Sequence, residues 1–371
     1  MNIPFLDLKR IPVGIQNELV RTFRRMLEEG VFSGGKEVNL FENNIASYLN
    51  IPDFVSCSNG TDALEIALRL LNIGPGDKVA VPALTWVSTA EVVKLTGAEL
   101  VFVDTDQDGL IDLDKLIELP LDHLKAVIPV HLYGQIAAME KLCKWSKEKG
   151  IKVIEDAAQS FGAKLGNKAS GAWGDIGCFS FYPTKNLGAL GEAGGIFCKD
   201  EELMLRARQM INHGQSYRDK HEILGKNARI DSIQAAFLNV MLNYFDQWQI
   251  QRKELAKIYL EELSEIKALK LPLNCLQSQH SLHLFTLQTP LRDELRAILL
   301  ENGIGTAVHY PQIIPKMKPY HDGKSYPNAQ KISQQTLSLP LNPFLTKKEV
   351  LYISRFIREF FKNQKTSFAI L

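Results

Sequence analysis

Long apolar runs are missing from this chain of 371 residues. No stretch of about 18 apolar residues occurs, so no membrane-spanning helix is expected. The N-terminal MNIPFLDLKRIPVG has neither a long apolar core nor a small-residue cleavage site, so no signal peptide is expected. Charge of one sign is lacking too. The formal net charge is +1, which gives no reason to expect nucleic acid or an anionic membrane as partner. Cysteine is sparse: Cys57, Cys143, Cys178, Cys198 and Cys275 form no C-x-x-C pair. That disfavours a disulfide framework or a zinc site and fits reduced thiols in a cytoplasm. Internal repeats and low-complexity segments are absent, as is G-x-G-x-x-G after a first strand, the mark of a nicotinamide-dependent enzyme.

The composition is otherwise that of an ordinary globular protein, 45% hydrophobic and 23% charged. The length suggests a large domain with a smaller one attached. From about residue 55 to 200, short apolar runs alternate with helical periodicity. The runs are Val79–Pro82, Leu100–Asp104, Ala126–Val130, Lys152–Glu155, Cys178–Phe181 and Gly195–Cys198. They are continuous rather than alternating, as strands buried on both faces should be. Helical segments Asp62–Leu71 and Ala138–Lys149 lie between them, the second capped by Gly150. An α/β domain with a mostly parallel central sheet is expected over residues 1–250. A long helix is predicted from Ser232 through Asn243 to Leu263. Residues 251–371 change character: strands at Leu269–Leu271 and Leu282–Leu287, a helix over Arg292–Asn302, a loop with HYP, and a last helix near Lys347–Phe361. This predicts a smaller α+β C-terminal domain, with KNQKTSFAIL as a loose tail.

Three elements in the first domain carry chemistry. In SCSNGTDALEIALRLL, Asn59-Gly60-Thr61 turns into a helix whose first N–H groups and dipole favour an anion. The alternative is a simple cap, with Asn59 or Thr61 accepting from the first turn. No Gly-Lys-Ser/Thr follows, so this is not a P-loop. In IKVIEDAAQSFGA, Asp156 ends a buried strand, at the edge where open α/β sheets bind ligands. It either caps a following helix or meets a ligand; Glu155 faces the other way and reads as structural. In FSFYPTKNLGALGEAGG, Lys185 stands in a glycine-rich apolar segment with no acidic residue within six positions. Kept from water, its amine would lose affinity for a proton and become a nucleophile toward aldehydes. A phosphate-binding helix start, a carboxylate and a Schiff-base lysine together meet the needs of pyridoxal 5'-phosphate, PLP.

With these elements the chain resembles the DegT/DnrJ/EryC1/StrS family of nucleotide-sugar aminotransferases, of aspartate aminotransferase fold type I. The motifs that carry the resemblance include SGGKEVNLFE, SNGTDAL, PALTWVSTA, PVHLYGQ, EDAAQSFGA, NARIDSIQAA and LSLPLNPFLT. The resemblance implies a PLP-dependent transferase fold, with Lys185 as the lysine bound to the cofactor and Asp156 as partner of the pyridine nitrogen. It implies ring contacts from Gln159 and Trp86, and phosphate contacts from Gly60, Thr61 and Ser180. Asn227 would reach the phosphate of a second subunit, so a homodimer with a shared site is implied. Trp86 read alone, as a Trp after a strand, is expected in the core. His309 and Tyr310 match a motif on the sugar side, and a loop histidine could equally be only solvated. Arg229 binds a substrate anion or pairs with Asp231. Loop Gln215–Lys226, with Arg218, Lys220 and Lys226, reads as solvated, with diphosphate contact as the alternative.

The expected activity is amino transfer from L-glutamate to a keto-sugar on a nucleotide. The cofactor would alternate between PLP and its aminated form, PMP. The ketone is placed at C3 rather than C4 on overall resemblance, and the product would enter polysaccharide, lipopolysaccharide or antibiotic synthesis. Family members with histidine at the lysine position are sugar dehydratases; Lys185 argues against that. A PLP-dependent lyase or dehydratase, and a PLP-binding regulator without turnover, are the rival readings. No DNA-binding module or basic region favours the regulator.

Overall fold

The structure of the protein is a computed structural model that describes residues 1–368, with side chains through residue 364. Helices α1 (Val13–Glu29) and α2 (Lys36–Leu49) precede the sheet. The chain then alternates β1 (Val55–Cys57), α3 (Gly60–Leu70), β2 (Lys78–Pro82), α4 (Ser88–Leu95), β3 (Glu99–Val103) and α5 (Leu113–Ile117). It continues through β4 (Leu124–Val127), α6 (Met139–Lys149), β5 (Lys152–Asp156) and a small hairpin, β6 (Lys164–Leu165) and β7 (Lys168–Ala169). Strands β8 (Ile176–Ser180) and β9 (Gly194–Cys198) complete the sheet, followed by α7 (Glu201–Met210) and the ladder β10 (Gln215–Tyr217) with β11 (Lys220–His221). Next come α8 (Ser232–Leu242), α9 (Phe245–Leu263), β12 (Phe285–Gln288), α10 (Arg292–Glu301), α11 (Pro327–Gln335), β13 (Thr336–Leu339) and α12 (Lys347–Phe368).

The main sheet has seven strands in the order β1-β9-β8-β5-β4-β2-β3. Strands β3, β2, β4, β5 and β8 run parallel, and β9 is antiparallel to both its neighbours. The fold is thus the mostly parallel α/β architecture expected. The continuous apolar runs follow from it, because Val79, Val81, Ala126, Ile154 and Ile176 are covered by helices on both faces. Gly150 takes φ 68 at the end of α6 and closes it as a left-handed C-cap.

A separate apolar core gathers α9, β12, α10, β13 and α12 around Tyr259, Phe285, Leu295 and Ile353. Ile3 joins it by pairing with Ile304, so the first residues pack against the last third of the chain.

Four local expectations are corrected. The long helix Ser232–Leu263 is two helices, parted at Asn243–Tyr244. Tyr244 takes φ -104 and ψ -5, donates its hydroxyl to Glu18 and stacks on Trp248. The break lets α8 pack on α1 and α2 while α9 reaches the second core. Leu269–Leu271 forms no strand; only Lys270 bridges to Gln288. The strand expected at Leu282–Leu287 begins at Phe285, because Leu282 sits at φ 53 and residues 281–284 bond instead to the loop at Tyr133–Gly134. The expected tail continues α12 to Phe368; residues 369–371 lie outside the described residues.

Glu155 is structural, as its orientation suggested. Fully buried, it accepts from His131 Nε2 at 2.8 Å and from the N–H groups of Gly171, Trp173 and Gly174. Glu155→Ala strands four buried donors, so unfolding in urea should reveal a loss of about 3–5 kcal/mol. A change under 1 kcal/mol, roughly the worth of one ordinary hydrogen bond, would refute this.

Among the described residues no helix is long and apolar enough to cross a membrane, and no group of three or more His, Cys, Asp or Glu could hold a metal ion. All five cysteines are free.

Candidate active site

The carboxyl ends of β5 and β8 and the start of α3 converge on one cleft. At the start of α3, the Asn59 side chain caps by accepting from the Asp62 N–H at 2.8 Å. The N–H groups of Gly60 and Thr61 make no hydrogen bond among the described residues. They remain as donors at the positive end of the helix dipole. Gly60 is required by space: a Cβ there would lie 2.8 Å from the Ser180 Cβ. This close approach puts Ser180, the last residue of β8, against the helix start. Thr61 Oγ1 is 2.8 Å from Ser88 Oγ, the first residue of α4. The cap therefore leaves donors free at the helix start, since the Asn59 side chain satisfies only one donor of the first turn.

Asp156 is buried at the end of β5. No helix follows for it to cap, because residues 157–162 form turns. Its Oδ2 accepts from Thr89 Oγ1 at 2.8 Å and its Oδ1 from the Ala158 N–H at 3.2 Å.

Lys185 sits in the turn between β8 and β9, pinned by its N–H to the Tyr182 carbonyl at 2.8 Å. The residue is partly exposed, and the protein around it desolvates the amine. Among the described residues its Nζ has no hydrogen-bond or ion-pair partner. Burial lowers its pKa to about 8, partly opposed by the negative charge of Asp156. At pH 7 about a tenth of the amine is then neutral, against about one part in three thousand for an ordinary lysine.

Gln159 is held at both ends. Its Oε1 accepts from the Tyr133 N–H at 2.8 Å, and its Nε2 donates to the Tyr310 hydroxyl at 3.1 Å. Trp86 is 56% exposed, which removes the core alternative, and its ring lies 5.6 Å from that of Tyr310. His309 is no solvated loop residue: its Nδ1 pairs with Ser338 Oγ at 2.8 Å. Burial, with the nearby Lys185 charge, lowers its pKa to about 4, so the ring is neutral. Burial pushes the Tyr310 hydroxyl well up, so it too stays uncharged.

The Asn227 and Arg229 side chains make no hydrogen bond to this cluster among the described residues, although the Ala228 carbonyl between them accepts from the Ser58 N–H at 2.8 Å. Both are exposed, and Arg229 donates to Asn227 Oδ1 and Asn212 Oδ1, not to Asp231. In the Gln215–Lys226 loop every candidate cation has an acidic partner. Lys226 pairs with Asp62 and Glu65, Lys220 with Glu222, and Arg218 with Asp219. That agrees with a solvated loop.

Three residues of the cluster escaped sequence reasoning. Thr89 touches Asp156, and Tyr133 supports Gln159 and donates to the His309 carbonyl. His283 bonds Asn186 Oδ1 at 3.2 Å, and burial and the Lys185 charge hold its pKa well below the usual value. Thr89 lies within PALTWVSTA, but nothing local to the sequence singles out its hydroxyl. His283 has no local signal at all.

The cluster fits PLP on its chemistry. It offers free N–H donors and a serine hydroxyl for a phosphate, a carboxylate for a ring nitrogen, an exposed indole for a ring face, and an unpaired amine for an aldehyde.

The sequence model of the DegT/DnrJ/EryC1/StrS aminotransferase family matches residues 14–358. The chain is 38% identical to a pleiotropic regulatory protein of Geobacillus stearothermophilus, across 98% of this chain and 100% of that protein. It is 37% identical to the dTDP-3-amino-3,4,6-trideoxy-alpha-D-glucose transaminase of Streptomyces venezuelae, across 96% of each. The crystal structure of S. venezuelae DesV in complex with a ketimine intermediate superposes with a TM-score of 0.93 at 36% identity, covering 97% of this chain and 98% of that one.

Proposed function

The chain belongs to the DegT/DnrJ/EryC1/StrS aminotransferase family, whose enzymes depend on PLP, and from that membership we propose that it moves an amino group from L-glutamate to the ketone of a nucleotide-linked sugar. The observation that carries this reading is the largely desolvated amine of Lys185, which has no hydrogen-bond or ion-pair partner among the described residues and lies close enough to Asp156 to feel its charge.

Bound PLP supplies an aldehyde that condenses with amines and a protonated ring that takes up the electron pair left when a Cα–H bond breaks. The protein supplies the rest. Gly60, Thr61 and Ser180 hold the phosphate, and Trp86 covers a ring face. Gln159, fixed by Tyr133 and Tyr310, would contact the ring hydroxyl side. Asp156 keeps the ring nitrogen protonated. Lys185 Nζ, neutral often enough at pH 7, takes the proton from the donor's α-carbon, and a shuttle of this kind contributes about 10²–10⁴-fold. His309, Tyr310 and Arg229 contact the sugar nucleotide, and Asn227 completes the phosphate site of a partner subunit in a homodimer. Support for a second copy comes from α1 and its sequel, where Val20, Phe23, Leu27, Val31 and Phe32 are exposed together. The reading divides the chain at about residue 250 into a large PLP-binding domain and a small one. It also places the enzyme in the cytoplasm, in a pathway to a polysaccharide, lipopolysaccharide or antibiotic.

A ketone at C3 rather than C4 is supported by the Streptomyces relative, named for a 3-amino sugar. A regulator of the same fold is the second reading, favoured by the Geobacillus relative's name. The protein reconstituted with PLP should release 2-oxoglutarate from L-glutamate and then aminate 3-keto in preference to 4-keto nucleotide sugars. Turnover with the 4-keto set alone moves the ketone to C4. Cofactor binding without 2-oxo acid from any amino donor favours the regulator.

A further inference from the structure

The cofactor cradle has two ends, and one short segment grips both. Residues 86–89 run from Trp86 into the first turn of α4. Ser88 Oγ lies 2.8 Å from Thr61 Oγ1, at the phosphate end. The next residue, Thr89, donates from Oγ1 to Asp156 Oδ2 at 2.8 Å, at the ring-nitrogen end. Thr85 Oγ1 lies 3.3 Å behind Thr89 Oγ1. Thr85 and Thr89 are buried, with 1% and 0% exposure.

The direction of this chain follows from its acceptor. An ionised carboxylate can only accept, so the Thr89 proton points at Asp156, and the Thr89 oxygen can receive a proton from Thr85. Asp156 has no ion-pair partner within reach among the described residues; its other protein donor is the Ala158 N–H. Neutral donors therefore have to hold a buried negative charge, and each is worth more there than at a surface.

We propose that Thr89 is a positioning residue for PLP, its hydroxyl fixing the Asp156 carboxylate in the orientation that meets the protonated ring nitrogen. The inference rests on the PLP reading of this cleft. Without the hydroxyl, the carboxylate loses one of its two protein donors and is free to turn, so its grip on the ring nitrogen would weaken and the ring would take up electrons less readily. Ser88, by its contact with Thr61 Oγ1, ties the same segment to the start of α3.

The test compares Thr89→Val, which keeps the shape and removes the donor, with Thr89→Ser, which restores it. Three readings are taken: the PLP dissociation constant by titration of the apoprotein, the ring-nitrogen NMR shift of isotopically labelled PLP in the holoprotein, and kcat with L-glutamate. Thr89→Val should weaken PLP binding about 10–100-fold, the worth of a hydrogen bond to a charged group. It should move the ring-nitrogen shift toward the unprotonated form and lower kcat more than it raises KM. Thr89→Ser should restore all three, and Thr85→Val should fall between. Thr89→Val with wild-type affinity and shift overturns the inference and leaves the PLP reading standing. So does Thr89→Ser as impaired as Thr89→Val, because the methyl group and not the hydroxyl would then matter. A wild-type protein that binds no PLP overturns both together.

Discussion

Replacing Lys185 with alanine should leave a folded protein that binds PLP and turns over at least about 10²–10⁴-fold more slowly, the worth of a positioned proton carrier alone. Folding should survive, because the ammonium makes no hydrogen bond or ion pair that the variant could break. Removing a largely desolvated charge relieves a burial cost, so the apoprotein should be no less stable, and urea midpoints would record this. Cofactor affinity should persist through the phosphate donors at Gly60, Thr61 and Ser180. The visible spectrum with PLP should instead match that of free cofactor, and L-glutamate should not change it on the wild-type timescale. An added small amine should restore part of the rate, because the proton carrier and not the fold is missing. Wild-type turnover in the variant would remove Lys185 from the chemistry and with it the reading of the cleft.

Asp156→Ala comes second in size, with a loss of about 10²–10³-fold in turnover per folded molecule, as for removal of one preorganised electrostatic partner. The carboxylate caps no helix, so what its removal costs in stability is the stranded Thr89 hydroxyl and Ala158 N–H, about 1–3 kcal/mol for each. The rate loss should exceed anything that this destabilisation explains. Measuring kcat against active-site concentration, beside a urea titration, separates the two. A variant that lost stability but kept its rate per folded molecule would make Asp156 a purely structural residue. Because the Asp156 charge also opposes the depression of the Lys185 pKa, the same variant should lower that pKa further. The pH at which Lys185 is modified by an amine-directed reagent would report it.

Much of the site is legible in the amino-acid sequence, for a specific reason. Lys185 and Asp156 are polar residues where the surrounding pattern demands apolar ones, and such exceptions are visible in one dimension. Gly60 is legible because it stands at a strand-to-helix turn. The parallel strands are legible because burial on both faces leaves unbroken apolar runs such as Val79–Pro82. The split between α8 and α9 is hidden because apolar periodicity runs through Asn243–Tyr244 unchanged. The break re-aims the chain: α9 begins in the core that α8 fills, with Phe245 and Trp248, and runs on into the second core from Leu255.

Composition and local pattern are enough for the α/β class, for the proposal built on a lone lysine in an apolar segment and a strand-end carboxylate, and for the motifs that place the chain in its family. They act through neighbours in sequence, and helix periodicity, capping and strand burial are such local effects. The contacts that tune the site are not local. Thr89 meets Asp156 across 67 positions, Gln159 meets Tyr310 across 151, and His283 meets Asn186 across 97. Each is a single hydrogen bond whose existence depends on the register of one element against another. Only the packed chain decides which hydroxyl of PALTWVSTA faces the carboxylate, and that Lys185 is left without a partner.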